Sequence, residues 1–324
     1  MNIAVLSDLH ANLPALRAVL DDLAARDIEQ MWCLGDMVGY YSDPVEPLMF
    51  VKRYVDSDDW VMGNHDAMLA DLILPQDERD APNLRGIDID SKGGKIRVRG
   101  QFLAPEDWAM TNATPIKALE LNRKELDSHE EATDFWRSQF TLERAKPRRK
   151  HLDGRDYIRV HASQHNYVGR YIYSWHDEIL LPKEFQALEE NKGASTAPQT
   201  LCFGHTHVPT LVLGAQNGDA PRVESVFIKT GESYPLGKRS ALINPGSVGQ
   251  SRDGDRRASY AILDSESQTV TFIRVAYPYQ ETAHRLLQKG YPEGLAKKLL
   301  EAPPVKEMPD VWKNHHAQNG TAQV

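Results

Sequence analysis

Five short apolar runs in this chain each stop at a loop that carries Asp, His or Asn, and no other feature constrains the fold as much. The loops are Asp8-Leu9-His10, Gly35-Asp36, Gly63-Asn64-His65-Asp66, His161 and Gly204-His205-Thr206-His207. Each alone is weak evidence. Gly and Asp are common turn residues, and a lone histidine is more often a packed core or surface group. In order, and each at a strand end, they require a fold that brings separate strand ends to one surface. Parallel strands with right-handed crossovers do this, because their loops gather at the carboxyl edge of the sheet.

The first part of the chain has that rhythm. Ile3 to Leu6 reads as a buried strand, and Asn12 as the N-cap of a helix with Pro14 in its first turn. Leu13, Leu16, Val19, Leu20 and Leu23 then recur at helical spacing. Met31 to Leu34 and Asp59 to Met62 read as the next two strands, with a helix opened by Pro44 between them. From Ala67 to about Lys150 the rhythm changes, and the stretch reads as an inserted, mainly helical cap. Within it we expect a short helix carrying Leu69, Leu72 and Ile73, a hairpin or loop over Asp88 to Gly100, and a helix from Ile116 to Phe140. Lys146-Pro147-Arg148-Arg149-Lys150 reads as a solvated basic loop.

Tyr157 to Val160 and Thr200 to Phe203 return to the strand-then-loop design. Thr210 to Leu213, Val223 to Lys229, Ala241 to Asn244, Arg257 to Leu263 and Thr269 to Val275 follow as strands of a largely antiparallel second sheet. Tyr277 to Ala302 reads as a helical pair broken at Gly290-Tyr291-Pro292. Residues from Pro303 onward read as a loose tail. The expected organisation is one domain over 1–302, with the cap inserted at approximately 67–150, and a tail over 303–324.

Bulk properties narrow the function. A net charge of −8 argues against duplex nucleic acid held on a broad basic surface. Cys33 and Cys202 sit in apolar runs and read as buried strand residues of a reducing compartment. The N-terminal apolar run is broken by Ser7 and Asp8, unlike a signal peptide. No run reaches the roughly 18 apolar residues of a membrane span, so a cytoplasmic location without membrane attachment is expected.

Asp36 is the residue around which the loops make chemical sense. A carboxylate has two oxygens and can bridge two divalent cations. Such a bridge offsets the repulsion of cations roughly 3.5–4 Å apart, and the pair can then clamp a phosphate during in-line attack. Imidazole and carboxylate are ordinary ligands for divalent transition metals.

The set Asp8-x-His10, Gly35-Asp36-x-x-Gly39, Gly63-Asn64-His65-Asp66, His161 and Gly204-His205-x-His207 resembles the calcineurin-like metallophosphoesterases, from Met1 to about Leu263. The stretch from Asn244-Pro245-Gly246-Ser247 to Ser259-Tyr260 resembles their bacterial phosphodiesterase branch, with Ser251 and Arg256 where that branch has Pro. The resemblance implies an α/β fold: a four-layer α-β-β-α sandwich of two mixed sheets, with the metal site at strand ends. It implies Asp8, His10, Asp36 and His207 around one metal, and Asp36, Asn64, His161 and His205 around the other. It implies that His65 protonates or stabilises the leaving oxygen. Asp66 either orients that imidazole or caps the helix that follows. His165 lies past the strand end and is the weaker ligand choice. Tyr40, Tyr41, Tyr171 and Tyr173 could stack on a base or phenyl group, with core packing or a dimer face as the plainer reading. Arg252 and Arg257 could contact phosphate, with ordinary surface pairing the preferred reading.

The expected activity is therefore a dinuclear metal-dependent phosphoesterase, in which metal-bound hydroxide attacks phosphorus without a covalent phosphoenzyme. The two cations are expected to be Mn, with Fe, Ni and Zn as alternatives. The expected partner is a small phosphorylated substrate, a phosphodiester or nucleotide, or a phosphoprotein, rather than extended nucleic acid. An inactive interaction scaffold on the same fold and a nuclease are the competing readings. Oligomeric state is left open.

Overall fold

Ile3 and Val5 face one way and Ala4 and Leu6 the other along the first strand, and the two directions lead to two different cores. This alternation, with both faces buried, places the strand inside a layered structure. The computed structural model describes residues 1–71, 87–90, 95–98, 110–176, 179–214 and 223–320. Its first half runs β1 (Asn2–Leu6), α1 (Leu13–Ala25), β2 (Gln30–Cys33), α2 (Val45–Tyr54) and α3 (Asn64–Asp71). Then come β3 (Ile87–Asp90), β4 (Lys95–Val98), β5 (Met110–Asn112), α4 (Ala113–Leu126), α5 (Glu130–Gln139) and α6 (Leu142–Ala145). Next are β6 (Arg148–Leu152), β7 (Arg155–Arg159), α7 (Leu180–Glu190), β8 (Gln199–Cys202), β9 (Thr210–Leu213) and β10 (Glu224–Ser225). The chain ends with β11 (Ser233–Pro235), β12 (Ala241–Asn244), β13 (Ala258–Asp264), β14 (Thr269–Val275), α8 (Tyr279–Gln288), α9 (Glu293–Glu301) and α10 (Asp310–Gly320).

Two mixed sheets form the sandwich. One has the order β11-β14-β13-β1-β2, with β1 and β2 parallel and β13 antiparallel to β1. The other has the order β10-β9-β12-β8-β7-β6, with β7, β8 and β12 parallel. Between them lie Ile3, Val5, Trp32, Tyr157, Cys202, Leu211, Ile243 and Phe272. Helices α1, α2, α8 and α9 cover the outer face of the first sheet through Leu16, Val19, Leu48, Leu286 and Leu299. Helix α7 covers the second through Leu181, Phe185 and Leu188 against Leu201, Phe203 and Leu242. Four layers result. Each fully buried Leu, Ile, Val or Phe contributes about 1.5–3 kcal/mol, so the three apolar interfaces hold the sheets in register. The parallel strands β1, β2, β7 and β8 all end at the same edge, where backbone bonds link their loops: Asp8 N–H donates to Gly35 O at 2.9 Å, and Gly204 N–H to His161 O at 2.8 Å. Among the described residues, no helix is long and apolar enough to cross a membrane.

Several elements differ from the sequence reading. The C-terminal strands do not make one antiparallel sheet. β9, β10 and β12 join the second sheet, whereas β11, β13 and β14 extend the first. Alternation marks a strand but not its partner. The expected strand over Asp59 to Met62 makes one bridge, Trp60 to Cys33, after a 3-10 turn at Ser57–Asp59. The helix expected from Ile116 to Phe140 is two helices, α4 and α5, separated by a turn. The basic run enters edge strand β6, where Lys150 pairs with Asp59 at 2.8 Å; charge on an edge strand blunts further pairing. Beyond Pro303, read as loose, α10 docks through buried Trp312, which stacks on Phe227 at 4.2 Å. The expected loop or hairpin over Asp88 to Gly100 coincides with the pairing of β3 and β4; the rest of that stretch lies outside the described residues.

Candidate metal centre

The loops at the common edge hold their polar residues in an unusual backbone conformation. Asp8, His10, Asp36, His205 and His207 all adopt left-handed φ values, at 54°, 50°, 54°, 66° and 60°. Each such residue costs on the order of 1 kcal/mol or more, and strain of this kind collects at functional sites. Glycine makes the close approach possible at two points. A Cβ on Gly63 would collide with the Asp36 carboxylate, and one on Gly204 with Ser7 Oγ.

Asp8, His10, Asp36 and His207 meet in one buried group whose ligand atoms lie within 4.8 Å of one another. The imidazoles are oriented by carbonyls. His10 Nδ1 lies 3.0 Å from Val38 O, and His207 Nδ1 lies 2.6 Å from Gln250 O. A carbonyl only accepts, so each Nδ1 carries the proton and each Nε2 presents a lone pair. Those two Nε2 atoms face each other at 3.0 Å. Two lone pairs at that distance repel unless something positive lies between them. Burial holds His10 and His207 well below the usual histidine pKa, which disfavours a proton there. A divalent cation fits the donor set. A carbonyl at the far nitrogen is also what metal-ligating histidines commonly have.

A second group adjoins the first. Asn64 Oδ1 lies 3.1 Å from His161 Nε2 and 2.9 Å from His205 Nδ1, while His161 Nδ1 is fixed by Leu34 O at 2.7 Å. His205 Nε2 has no hydrogen-bond partner among the described residues. Asp36 stands between the groups. Its Oδ2 lies 3.6 Å from His10 Nε2 and 3.4 Å from His161 Nε2, while its Oδ1 accepts the His65 amide at 2.8 Å. The sequence reading gave one cation to each oxygen; here a single oxygen faces both groups. Burial pushes the Asp36 pKa up, but His161, His65 and His10 outweigh it and hold the carboxylate well below its ordinary value. Burial acts downward on His161, and Asp36 raises it overall to about 9.

His65 is 3% exposed, with its ring 4.5 Å from Tyr40 and 4.8 Å from His10. Its Nδ1 has no hydrogen-bond partner among the described residues, and burial lowers its pKa to about 4. Asp66 does not orient it. Its carboxylate instead receives the amides of Asp36 at 2.8 Å, Met37 at 2.9 Å, Val38 at 3.3 Å and Gly63 at 3.0 Å. The bond from Gly63 caps α3 from inside its first turn, so the capping role expected for Asp66 survives in altered form. The other three clamp the loop that presents Asp36. Burial and Asp36 push the Asp66 pKa up, whereas four amide donors favour its ionised form. Asp66→Ala leaves four buried amides without an acceptor. It is expected to cost on the order of 3 kcal/mol or more in urea unfolding, and a loss under about 1 kcal/mol contradicts the clamp.

The histidines give the metal-free chain a defined pH response. His10, His205 and His207 bind protons more weakly folded than unfolded. Their stabilising contribution is complete above the unfolded value of about 6.5 and is lost as pH falls below it. His161 works oppositely: its contribution is complete below about 6.5 and is lost as pH rises through its folded value of about 9. The chelator-treated chain is therefore expected to have its highest urea midpoint near pH 6.5. A midpoint that rises on acidification contradicts neutral imidazoles in the site.

A cavity of about 780 Å³ opens onto this cluster, with Asn64, His65, His205, Tyr171, Arg252 and Lys298 on its wall. Arg252, read from sequence as a surface pairing residue, is half-buried here, and its guanidinium donates to the Tyr40 hydroxyl at 3.0 Å. The Tyr171 ring lies 4.2 Å from that of His205, tilted by 31°. The sequence reading preferred surface pairing for Arg252, with phosphate contact second, and missed Lys298; Arg252 lies in the stretch after Asn244 that carried a family resemblance. His165 sits away from the cluster, 4.0 Å from Glu184.

Comparison with known proteins agrees with the fold. The family model described as the calcineurin-like phosphoesterase superfamily domain matches residues 1–268. An uncharacterized protein of Methanocaldococcus jannaschii is 27% identical over 302 residues, covering 92% of this chain and 97% of its own. The crystal structure of a metallophosphoesterase from Sphaerobacter thermophilus is similar at 29% identity and a TM-score of 0.62, covering 93% of this chain and 99% of that one. A hypothetical protein from Pyrococcus horikoshii, at 17% identity and a TM-score of 0.64, shares the fold over 94% of this chain and 99% of its own.

Proposed function

This chain belongs to the calcineurin-like phosphoesterase superfamily, and on that premise we propose that it is a hydrolase of phosphate esters that uses two divalent cations. The observation that carries the reading is Asp36 Oδ2, set 3.6 Å from His10 Nε2 and 3.4 Å from His161 Nε2. Asp8, His10, Asp36 and His207 would hold one cation, and Asp36, Asn64, His161 and His205 the other. Divalent cations in such a site polarise phosphoryl oxygens and lower the pKa of bound water toward neutrality. Mn is the first metal to test, with Fe, Ni and Zn after it, since all accept these donors.

The chain's own groups then have separate tasks. The carbonyls of Val38, Leu34 and Gln250 fix the donor nitrogens of His10, His161 and His207 toward the site. Asp66 holds the loop that presents Asp36. His65 is neutral near pH 7, because burial lowers its pKa to about 4. It therefore offers a hydrogen bond to the leaving oxygen, and an anionic phosphoryl group beside it raises its affinity for a proton. The cavity suits a phosphodiester, a nucleotide or a phosphorylated peptide loop better than a long duplex. The cap reading of 67–150 is supported by Thr114 and Pro115, which line the cavity.

Turnover of bis-para-nitrophenyl phosphate tests the proposal. The expected result is hydrolysis that requires added Mn and stops with chelator. No turnover with Mn, Fe, Ni or Zn would overturn it in favour of a scaffold. Cleavage confined to single- or double-stranded DNA would point to a nuclease.

A further inference from the structure

Besides the exposed Lys306, two cations on the cavity wall have no anionic partner among the described residues. The Arg252 guanidinium bonds only neutral oxygens, Tyr40 Oη at 3.0 Å and Gln250 Oε1 at 3.3 Å. Lys298 reaches the same cavity from α9, and its side chain makes no hydrogen bond or ion pair with a described residue. Several other cations of the chain pair with carboxylates: Arg159 with Asp59, Arg274 with Asp253, Arg257 with Asp255, and Lys289 with Asp43 and Glu125. Arg155 is also held by neutral oxygens alone, but it is buried within the fold and away from the cavity wall. In a chain of net charge −8, leaving two cations unpaired in one cavity costs repulsion that a bound anion would offset. The cavity wall also holds Lys306 and, as its one carboxylate among the described residues, Glu307; both are exposed.

The position of this pair relative to the metal cluster matters. Arg252 lies against Tyr40, with its guanidinium carbon 5.7 Å from the ring centre, and the same ring is 4.5 Å from His65. The Arg252 guanidinium is thus set beside the donor groups, against a ring that itself touches His65 and His10. An ester with a single phosphoryl group at the cluster leaves this second positive position unfilled.

We propose that Arg252 and Lys298 form a second anion subsite that holds a non-reacting phosphoryl group, so that the substrates this site prefers are polyphosphate esters rather than simple monoesters. This rests on the phosphoesterase reading above and names the substrate class within it. Arg supplies a planar fork of donors for phosphate oxygens, and Lys a mobile point charge. Lys298 lies beyond residues 1–268, so the family match does not include it.

Calorimetry on the full-length, Mn-loaded protein tests the subsite with inorganic pyrophosphate and orthophosphate as probes, and with Mn content checked after each titration. Wild type is expected to bind pyrophosphate more tightly than orthophosphate by about tenfold or more. That preference is expected to fall about tenfold in Lys298→Met and in Arg252→Met. Lys298 is an exposed helix residue, so its variant is expected to fold, which thermal unfolding checks. An unchanged preference in the folded Lys298→Met variant overturns the subsite, because the metals alone then account for pyrophosphate binding. Turnover of bis-para-nitrophenyl phosphate by wild type is read separately. Turnover with an unchanged preference removes the subsite alone. No turnover with a reduced preference removes the hydrolase reading and leaves an anion site.

Discussion

Asp36→Ala is expected to empty both halves of the donor cluster and to lower ester turnover by about 10³-fold or more, since each cation contributes several kcal/mol to the transition state. The reason is positional. Asp36 Oδ2 faces His10 Nε2 on one side and His161 Nε2 on the other, and Oδ1 also anchors the His65 amide. Asp8→Ala and His161→Ala each remove a donor from one group only. They are expected to weaken one cation far more than the other in calorimetric titration with Mn. Asp36→Asn separates charge from shape, because it can keep an acceptor for the His65 amide while losing the anion between the groups. Its expected phenotype is a folded chain that fails to retain the pair. Equal loss in all four variants would mean that the cluster falls apart as a unit and that no single carboxylate is shared.

The second large effect is at His65. His65→Ala is expected to lower kcat by about 10²–10⁴-fold while the metal content stays at the wild-type value. The imidazole is buried beside the cluster, has an unpartnered Nδ1 and lines the cavity. If it serves the leaving oxygen, the loss grows with the basicity of that oxygen. A para-nitrophenolate departs readily and needs little help, whereas an alkoxide needs much. An equal loss on aryl and alkyl esters places His65 elsewhere in the mechanism. A loss of metal in the same variant makes it a structural support of the cluster.

Much of the site was legible in the chain because its ligand loops follow buried parallel strands. Such strands are short apolar runs, and an Asp or His directly after one stands out. Ile3 to Leu6 before Asp8, and Thr200 to Phe203 before His205, are the clearest cases. What pairs with what was not legible. Nothing local in Ala258–Asp264 says that it lies beside β1 rather than beside β12, since alternation is the same for either neighbour.

The misreadings at the site have similar causes. Asp66 follows His65 in sequence, which suggested that one orients the other. On a helix adjacent residues point in different directions, and Asp66 turns down onto the Asp36 loop instead. Arg252 was read first as a surface pairing residue and only second as a phosphate contact. Its neighbour Tyr40 is distant in the chain, and only the fold brings them to 3.0 Å. Lys298 has no motif around it, and its helical spacing gave no sign that α9 borders the cavity.

The account depends on two cations sharing Asp36, and metal stoichiometry tests that most directly. Purified protein saturated with Mn, freed of excess by gel filtration and assayed by elemental mass spectrometry, is expected to hold two ions per chain in wild type and none in Asp36→Asn. One ion in wild type, or retention of both in Asp36→Asn, would contradict it.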